Sequence, residues 1–274
     1  MEILVFGYPL LQSLQWSFTN YNMLSGENDF IGFEGYRALA SDPIWATSFY
    51  NSILYAGGVL AGSFGVGLAL ALLLNESLRF RNLMRGLFMI PWIMPSAVAA
   101  LLWRWMFGWG EYSVVNYFLY HLGLISTQEL GWYAFGWSAM LALIMLGIWK
   151  TFPYALIILL AGLQSVPSDL YESAKVDGAT KWSTFRHITF PNMSFPIALA
   201  LLGTFISSFT MFDYSILVTN GGPSYATLTL SFYTYIKAIG GMLFGYGSDI
   251  AVSMVIVLII FVVLYIKTIM GRRV

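Results

Sequence analysis

The chain has 274 residues, 58% of them apolar and 9% charged, and its 13 basic residues balance its 13 acidic ones. Its mean hydropathy is +0.73, whereas a soluble domain is about a quarter charged; a soluble globular domain and a disordered chain are both excluded. With zero net charge, no cysteine, and His121 and His187 far apart, nothing points to nucleic acid, disulfides, thiolate chemistry or a clustered metal site.

Six apolar runs approach the roughly 20 residues that a membrane helix needs. The first, 3–19, is short and begins almost at Met1, so its helix is expected to lack residues at its start. A cleaved signal peptide fits poorly, because Glu2 stands where a basic region belongs. The second, 51–74, has no charge and carries Gly57, Gly58, Ala61, Gly62, Ser63, Gly65 and Gly67. Small residues recurring every four positions predict a close helix-packing face. The third, 84–107, holds Pro91 and Pro95, both expected to kink it. Arg104, between Trp103 and Trp105, is expected to mark its outer interface.

The fourth run, 134–162, is apolar apart from Lys150. An ionisable residue at mid-span is costly and defaults to a functional hypothesis. Three readings stand: Lys150 faces a solute pathway, pairs with a carboxylate such as Asp213, or anchors helix packing. The fifth run, 193–217, carries the polar lane Thr204, Ser207, Ser208 and Thr210, which fits a solute path and interhelical hydrogen bonding equally. The sixth is 249–270. The 48 aromatic side chains, 18% of the chain, fit membrane-interface belts and, secondarily, sugar stacking.

The expected fold is therefore an all-α polytopic membrane protein: one transmembrane domain over 1–274, with six transmembrane helices. An even number of spans puts both termini on one side. Ten of the 13 Lys and Arg residues are counted to one set of segments: Arg79, Arg81, Arg85, Lys150, Lys175, Lys181, Arg186, Lys267, Arg272 and Arg273. Arg37, Arg104 and Lys237 fall in the other. The positive-inside rule makes the first set, and both termini, cytoplasmic. Acidic residues such as Glu27, Asp29, Glu111 and Glu129 lean to the outside.

The segment 166–191 links the fourth and fifth spans. Pro167 ends the membrane helix, Ser168 is placed to cap a short helix, and Asp169 and Glu172 suit its positive end. Gly178 is placed to close it and Thr180 to cap a second one. Trp182, Phe185 and Ile188 share a face of that second helix, and Pro191 punctuates the approach to the next span. An interfacial amphipathic helix and a docking element for a cytoplasmic protein both satisfy this pattern.

Here a resemblance adds to the residues. Glu172-Ser173-Ala174, three residues, Gly178, then nine residues to Ile188-Thr189-Phe190-Pro191 resembles the EAA signature of permease subunits of carbohydrate ABC importers. The stretches Leu163 to Pro167, Thr219 to Leu230, Phe30 to Tyr36, Pro91 to Pro95 and Leu101 to Trp105 are similar to the same family, of the MalF and UgpA type. The likeness covers nearly the whole chain. Ser173 stands where Ala is usual and Phe190 where Leu is usual, and the large periplasmic insertion of MalF is absent.

The resemblance implies a coupling helix that docks in a cleft of an ATPase subunit through Glu172, Ser173, Ala174, Asp177 and Gly178. It implies a substrate path along Gly147, Lys150, Thr151, Tyr154, Ser207, Ser208 and Met211. The implied partners are a second permease subunit, two ATP-binding subunits, an extracellular solute-binding protein, and a sugar or related solute, with membrane lipid around the spans and no nucleic acid. No cofactor is expected in this chain, since it has no Gly-Lys dipeptide and so no phosphate loop; ATP and Mg would belong to the partner ATPase. The chain would be a non-catalytic transport subunit in a prokaryotic plasma membrane. A self-sufficient secondary transporter or channel is the alternative, but no span carries a carboxylate near its centre. A membrane enzyme lacks any clustered nucleophile, base or metal set.

Overall fold

The computed structural model describes residues 2–76, 79–110 and 112–270; Glu111, Arg272 and Arg273, counted above in the charge asymmetry, lie outside the described residues. Among the described residues the chain is helical, with one isolated bridge between Thr19 and Phe30 and no strand. The helices are α1 (Glu2–Trp16), α2 (Glu34–Ala40), α3 (Pro43–Asn75), α4 (Arg81–Ile93), α5 (Ser96–Met106), α6 (Val114–His121) and α7 (Gly136–Gln164). They continue as α8 (Ser168–Val176), α9 (Lys181–Thr184), α10 (Phe190–Asn192), α11 (Ser194–Phe209), α12 (Leu230–Tyr235) and α13 (Phe244–Met270). Single π-helical turns occupy Phe185–Thr189, Ser215–Thr219 and Ile236–Gly240.

Three of these helices, α3, α7 and α13, are each long and apolar enough to cross a membrane. Two further candidates are bent pairs: α4 with α5, at 92°, and Lys181–Asn192 with α11, at 69°. The boundaries differ from the sequence reading in instructive ways. Helix α3 starts eight residues before the apolar run, because Asp42 caps it: the Ile44 N–H donates to Asp42 Oδ1 at 2.8 Å, and Pro43 sits at the first helical position. The run 84–107 is broken, not kinked twice. Pro91 lies inside a continuous α4, and the break falls at Met94, held extended (ψ 133°) by the following Pro95. The run 193–217 is not one helix: α11 ends at Phe209, the chain turns at Thr210, and helical geometry resumes at Asp213.

The chain divides into two compact units. The first comprises Met1–Tyr55, Ala100–Leu143 and Phe209–Phe261, the second Ala56–Ala99, Ile144–Ser208 and Val262–Val274. In the first unit, Asp42 is a hub. Its Oδ2 accepts from the hydroxyls of Tyr233 and Tyr246, and the Lys237 ammonium lies 5.4 Å from both ring centroids. Burial pushes the Asp42 carboxyl up, but these hydrogen bonds and the N–H groups of Ile44 and Trp45 outweigh it and hold it below its usual value.

The conspicuous stretch Thr219–Leu230 forms an ordered turn in the same unit. Thr227 Oγ1 donates to the Gly222 carbonyl at 2.7 Å, and Ser215 Oγ to the Thr227 carbonyl at 2.6 Å. Asn51 Nδ2 donates to the carbonyls of Tyr225 and Leu228, and Ser52 Oγ accepts from Leu230 N–H. Two adjacent polar residues of α3 thus fix the turn through its main chain.

The second unit has an apolar core of Ala71, Leu74, Ala155, Leu156, Leu159, Leu163, Met193 and Ile197, with Phe88 and Met89 packed against it. The glycine stripe builds the α3 to α7 contact. A Cβ on Gly58 would sit 2.9 Å from Ile144, one on Gly67 2.9 Å from Ala155, and one on Gly62 would overlap Ile148. Gly57 and Gly65 face open space, so the packing face is narrower than the full set of small residues.

Two outcomes follow. Gly62→Leu should destabilise the purified protein by about 1–3 kcal/mol, because overpacking a filled contact costs that much; Gly65→Leu should not, and thermal unfolding in detergent compares them. Asp42→Asn keeps the cap and removes the charge. Since the folded carboxyl titrates below its usual value, its contribution is present at neutral pH and lost as pH falls through that lowered value. The melting-temperature gap between wild type and Asp42→Asn should therefore persist at pH 5 and close below about pH 4.

Candidate functional site

The segment 165–193 lies wholly in the second unit. Helix α7 stops at Gln164, and Ser165 folds back on it, its Oγ donating to the Gly162 carbonyl at 2.8 Å. Pro167, not Ser168, occupies the cap position of α8, and no side chain caps it. Ser168 is the first helical residue, its hydroxyl 3.4 Å from Asp169 Oδ1. Asp169 in the first turn and Lys175 in the last suit the helix dipole.

The end of α8 is a Schellman turn. The Ala179 N–H donates to the Ala174 carbonyl at 2.9 Å and the Gly178 N–H to the Lys175 carbonyl at 3.2 Å. Gly178 takes φ +71°, and a Cβ there would meet nothing within 4 Å. The glycine is thus required by left-handed backbone, not by lack of room within the chain. Thr180 caps the next helix as read from the sequence, its Oγ1 accepting from Ser183 N–H at 3.2 Å. That helix runs through a π turn and past Pro191 to Asn192, so the change of direction comes at Met193.

The five residues expected to dock do not all face outward. Glu172, Ser173, Asp177 and Gly178 are exposed, while Ala174 is buried beneath them. Apolar side chains are also left bare here: Val176 is 88% exposed and Trp182 68%. Between the loop and the ends of α3 and α7 lies a groove of about 950 Å³, lined by Leu72, Glu76, Leu163, Tyr171, Lys175 and Trp182 among others. The Tyr171 hydroxyl lies 3.2 Å from Thr189 Oγ1, which ties α8 to the returning helix.

Of the seven residues expected along a solute path, six lie in this unit and Met211 lies in the other. Gly147 is buried and Thr151 half-buried. Tyr154 packs on α11, its hydroxyl occupying the space where a Gly203 side chain would be. Ser207 donates to the Thr204 carbonyl at 3.1 Å and is exposed, while Ser208 is buried. Met211 is buried, and its carbonyl accepts from Thr229 Oγ1 at 3.2 Å.

Lys150 has a defined role. Its ammonium donates to the carbonyls of Pro91 and Trp92, each at 2.9 Å, and to that of Met94. These carbonyls are left over where α4 ends. An ammonium has three donors, and all three are used. The positive charge also sits at a helix C-terminus, where the dipole favours it. The acceptors were invisible in the sequence, though Pro95 was a signal that carbonyls would be freed just before it. Arg104 does the like in the first unit, donating to the Leu217 carbonyl at 3.2 Å. Among the described residues no group of His, Asp or Glu is arranged to hold a metal.

Residues 63–274 match the family described as binding-protein-dependent transport system inner membrane component. The sulfoquinovosyl glycerol transport system permease SmoG of Agrobacterium fabrum is 36% identical, the match covering 92% of this chain and 80% of that one. The trehalose/maltose transport system permease MalF of Thermococcus litoralis is 32% identical over 90% of this chain and 82% of its own. The fold matches that of a bacterial ABC transporter involved in the import of the acidic polysaccharide alginate. That crystal structure has a TM-score of 0.83 at 24% identity, covering 99% of this chain and 91% of that one. It has also been solved with an alginate pentasaccharide-bound periplasmic protein, at a TM-score of 0.81, 24% identity and coverage of 96% and 88%.

Removing the Lys150 ammonium should unmoor the end of α4. Lys150→Met should lower stability by about 1–3 kcal/mol, the cost of stranding part-buried carbonyls, and Lys150→Arg should recover only part of it, because the guanidinium fork does not reproduce three convergent donors. Thermal unfolding of the three proteins in one detergent measures this.

Proposed function

The chain belongs to the family of binding-protein-dependent transport system inner membrane components, and on that premise we propose that it is one membrane-spanning subunit of an ATP-driven importer for a sugar or sugar-like polar solute. It is a multi-pass membrane transport component, and its relatives include permeases named for sugar transport. The observation that carries the finer reading is α8. This short helix presents Glu172, Ser173, Asp177 and Gly178 outward beside bare Val176 and Trp182, and it is closed by a cap that fixes its geometry. An exposed apolar and charged surface on a rigid turn supports docking of another protein.

In this reading α8 is the coupling helix and seats in a cleft of an ATPase subunit. Ala174 contributes by burying its methyl group, which anchors the helix to its own chain. Two ATP-binding subunits supply the energy and hold ATP and Mg. A second, different permease completes the path, and an extracellular solute-binding protein delivers the solute. Six spans, with α1, the α4–α5 pair and α11 joining α3, α7 and α13, put both termini in the cytoplasm of a prokaryotic cell. Along the path, Thr151, Tyr154, Ser207 and Ser208 offer hydroxyls, and Gly147 and Met211 shape its wall. Lys150 acts there through α4, whose end it holds.

The test is purification of the tagged chain from its host in mild detergent, with mass spectrometry of what accompanies it. The wild type should bring an ATPase and a second permease. Glu172→Lys, which leaves the cap intact, and Gly178→Arg should each lose most of the ATPase, at least tenfold, and keep the permease. A chain that purifies alone and moves solute in liposomes without ATP would overturn the reading in favour of a secondary transporter or channel.

A further inference from the structure

The connection between α5 and α7 contains a feature that the importer reading does not use. Within the first unit it lines an open cleft of about 650 Å³, inside the range of small-molecule sites, about 300–1,000 Å³. Its walls include Trp109, Tyr120, Ser126, Thr127, Gln128 and Glu129. Trp109 is seated directly on the backbone of Gly131, where any Cβ would overlap the six-membered ring of the indole. The indole is nevertheless 69% exposed, so a large aromatic surface is presented to the cleft. Tyr120 is partly exposed beside it.

Polar side chains line the same cleft. Among the described residues, no hydrogen bond or ion pair engages the side-chain amide of Gln128 or the carboxylate of Glu129. Thr127 Oγ1 accepts from the Glu129 N–H at 3.2 Å, which orders the turn between them. The frame beneath is rigid. Asn116 is fully buried; its Nδ2 donates to the carbonyls of Gln128 and Leu130 at 2.9 and 2.8 Å, and its Oδ1 accepts from Trp132 Nε1 at 2.8 Å. Phe107 packs edge-on against Trp132 at 5.1 Å.

An exposed aromatic plane that lines the same cleft as an amide, a carboxylate and hydroxyls is complementary to a pyranose or furanose ring. The apolar C–H face of the sugar stacks, and its hydroxyls donate to the carboxylate and exchange hydrogen bonds with the amide. Lipid is a poor occupant, since a carboxylate facing hydrocarbon is costly. The Glu129 charge also opposes an acidic sugar. We propose that this cleft is a binding subsite for a neutral oligosaccharide on the extracellular side of the protein. Its sidedness rests on the orientation given under Proposed function.

The test is saturation-transfer difference NMR on the full chain in nanodiscs, with maltotetraose, cellotetraose and arabinotetraose as neutral probes and tetragalacturonate as the acidic one. At least one neutral probe should show saturation, with tetragalacturonate at least fivefold weaker. Trp109→Ala should reduce the signal at least fivefold and Trp109→Phe should restore most of it, which separates stacking from loss of the loop. The double variant Gln128→Ala with Glu129→Ala, on exposed turn positions, should also reduce it at least threefold. No signal from any neutral probe, a signal unchanged in Trp109→Ala, or equal binding of tetragalacturonate would overturn the proposal. Retention of the ATPase and second permease in the pull-down is independent of Trp109, so the subsite can fail while the importer reading stands.

Discussion

In hydrocarbon, a carbonyl freed from a helix has no water to turn to, and an unsatisfied one costs several kcal/mol. The break at Met94–Pro95 creates such carbonyls, and the Lys150 ammonium meets three of them. The organisation of the second unit depends on this arrangement. It fixes where α4 ends, and α4 then carries Phe88 and Met89 against the core that α3, α7 and α11 share. The glycines of α3 work toward the same end by another route. They let α7 come close enough for its carbonyl-directed lysine and its apolar face to be set by one register.

The same logic of main-chain satisfaction recurs at each irregular segment. Asn51 and Ser52 hold the turn after Thr219 through its carbonyls and an N–H. Arg104 takes the carbonyl of Leu217 within a π turn. Gly178 closes α8 by letting two N–H groups fold back on α8. Polar residues inside apolar runs are here mostly partners of backbone, and so they look costly in sequence and are ordinary in structure.

That distinction explains what the sequence disclosed. The glycine stripe, the Thr180 cap and the Gly178 close were legible, because each is a local pattern with its own chemistry. Asp42-Pro43 was an equally clear start signal for α3, but the apolar run after Asn51 drew the boundary later. Pro91 and Pro95 were indistinguishable as breakers; only the extended Met94 separates the residue that ends a helix from the one a helix absorbs. Ser168 was one place off, since Pro167 already sits at the cap. The acceptors of Lys150 lie some 56 to 59 residues away and belong to the main chain, so no side chain announced them. Ala174 was grouped with the exposed residues around it, yet its methyl group is buried, a difference that periodicity over nine residues is too short to resolve.

The Asn116 frame has a consequence for how such a chain changes over generations. Asn116 grips the carbonyls of Gln128 and Leu130, and every residue type brings a carbonyl. The path of the loop is therefore insensitive to which side chains its rim displays. Replacements at Ser126, Gln128 and Glu129 alter what the surface displays without loosening the scaffold, while a replacement at Asn116 loosens the scaffold without touching the rim. Inheritance can thus retune the rim in single steps, each leaving a folded protein, and the invariant cost is one buried amide.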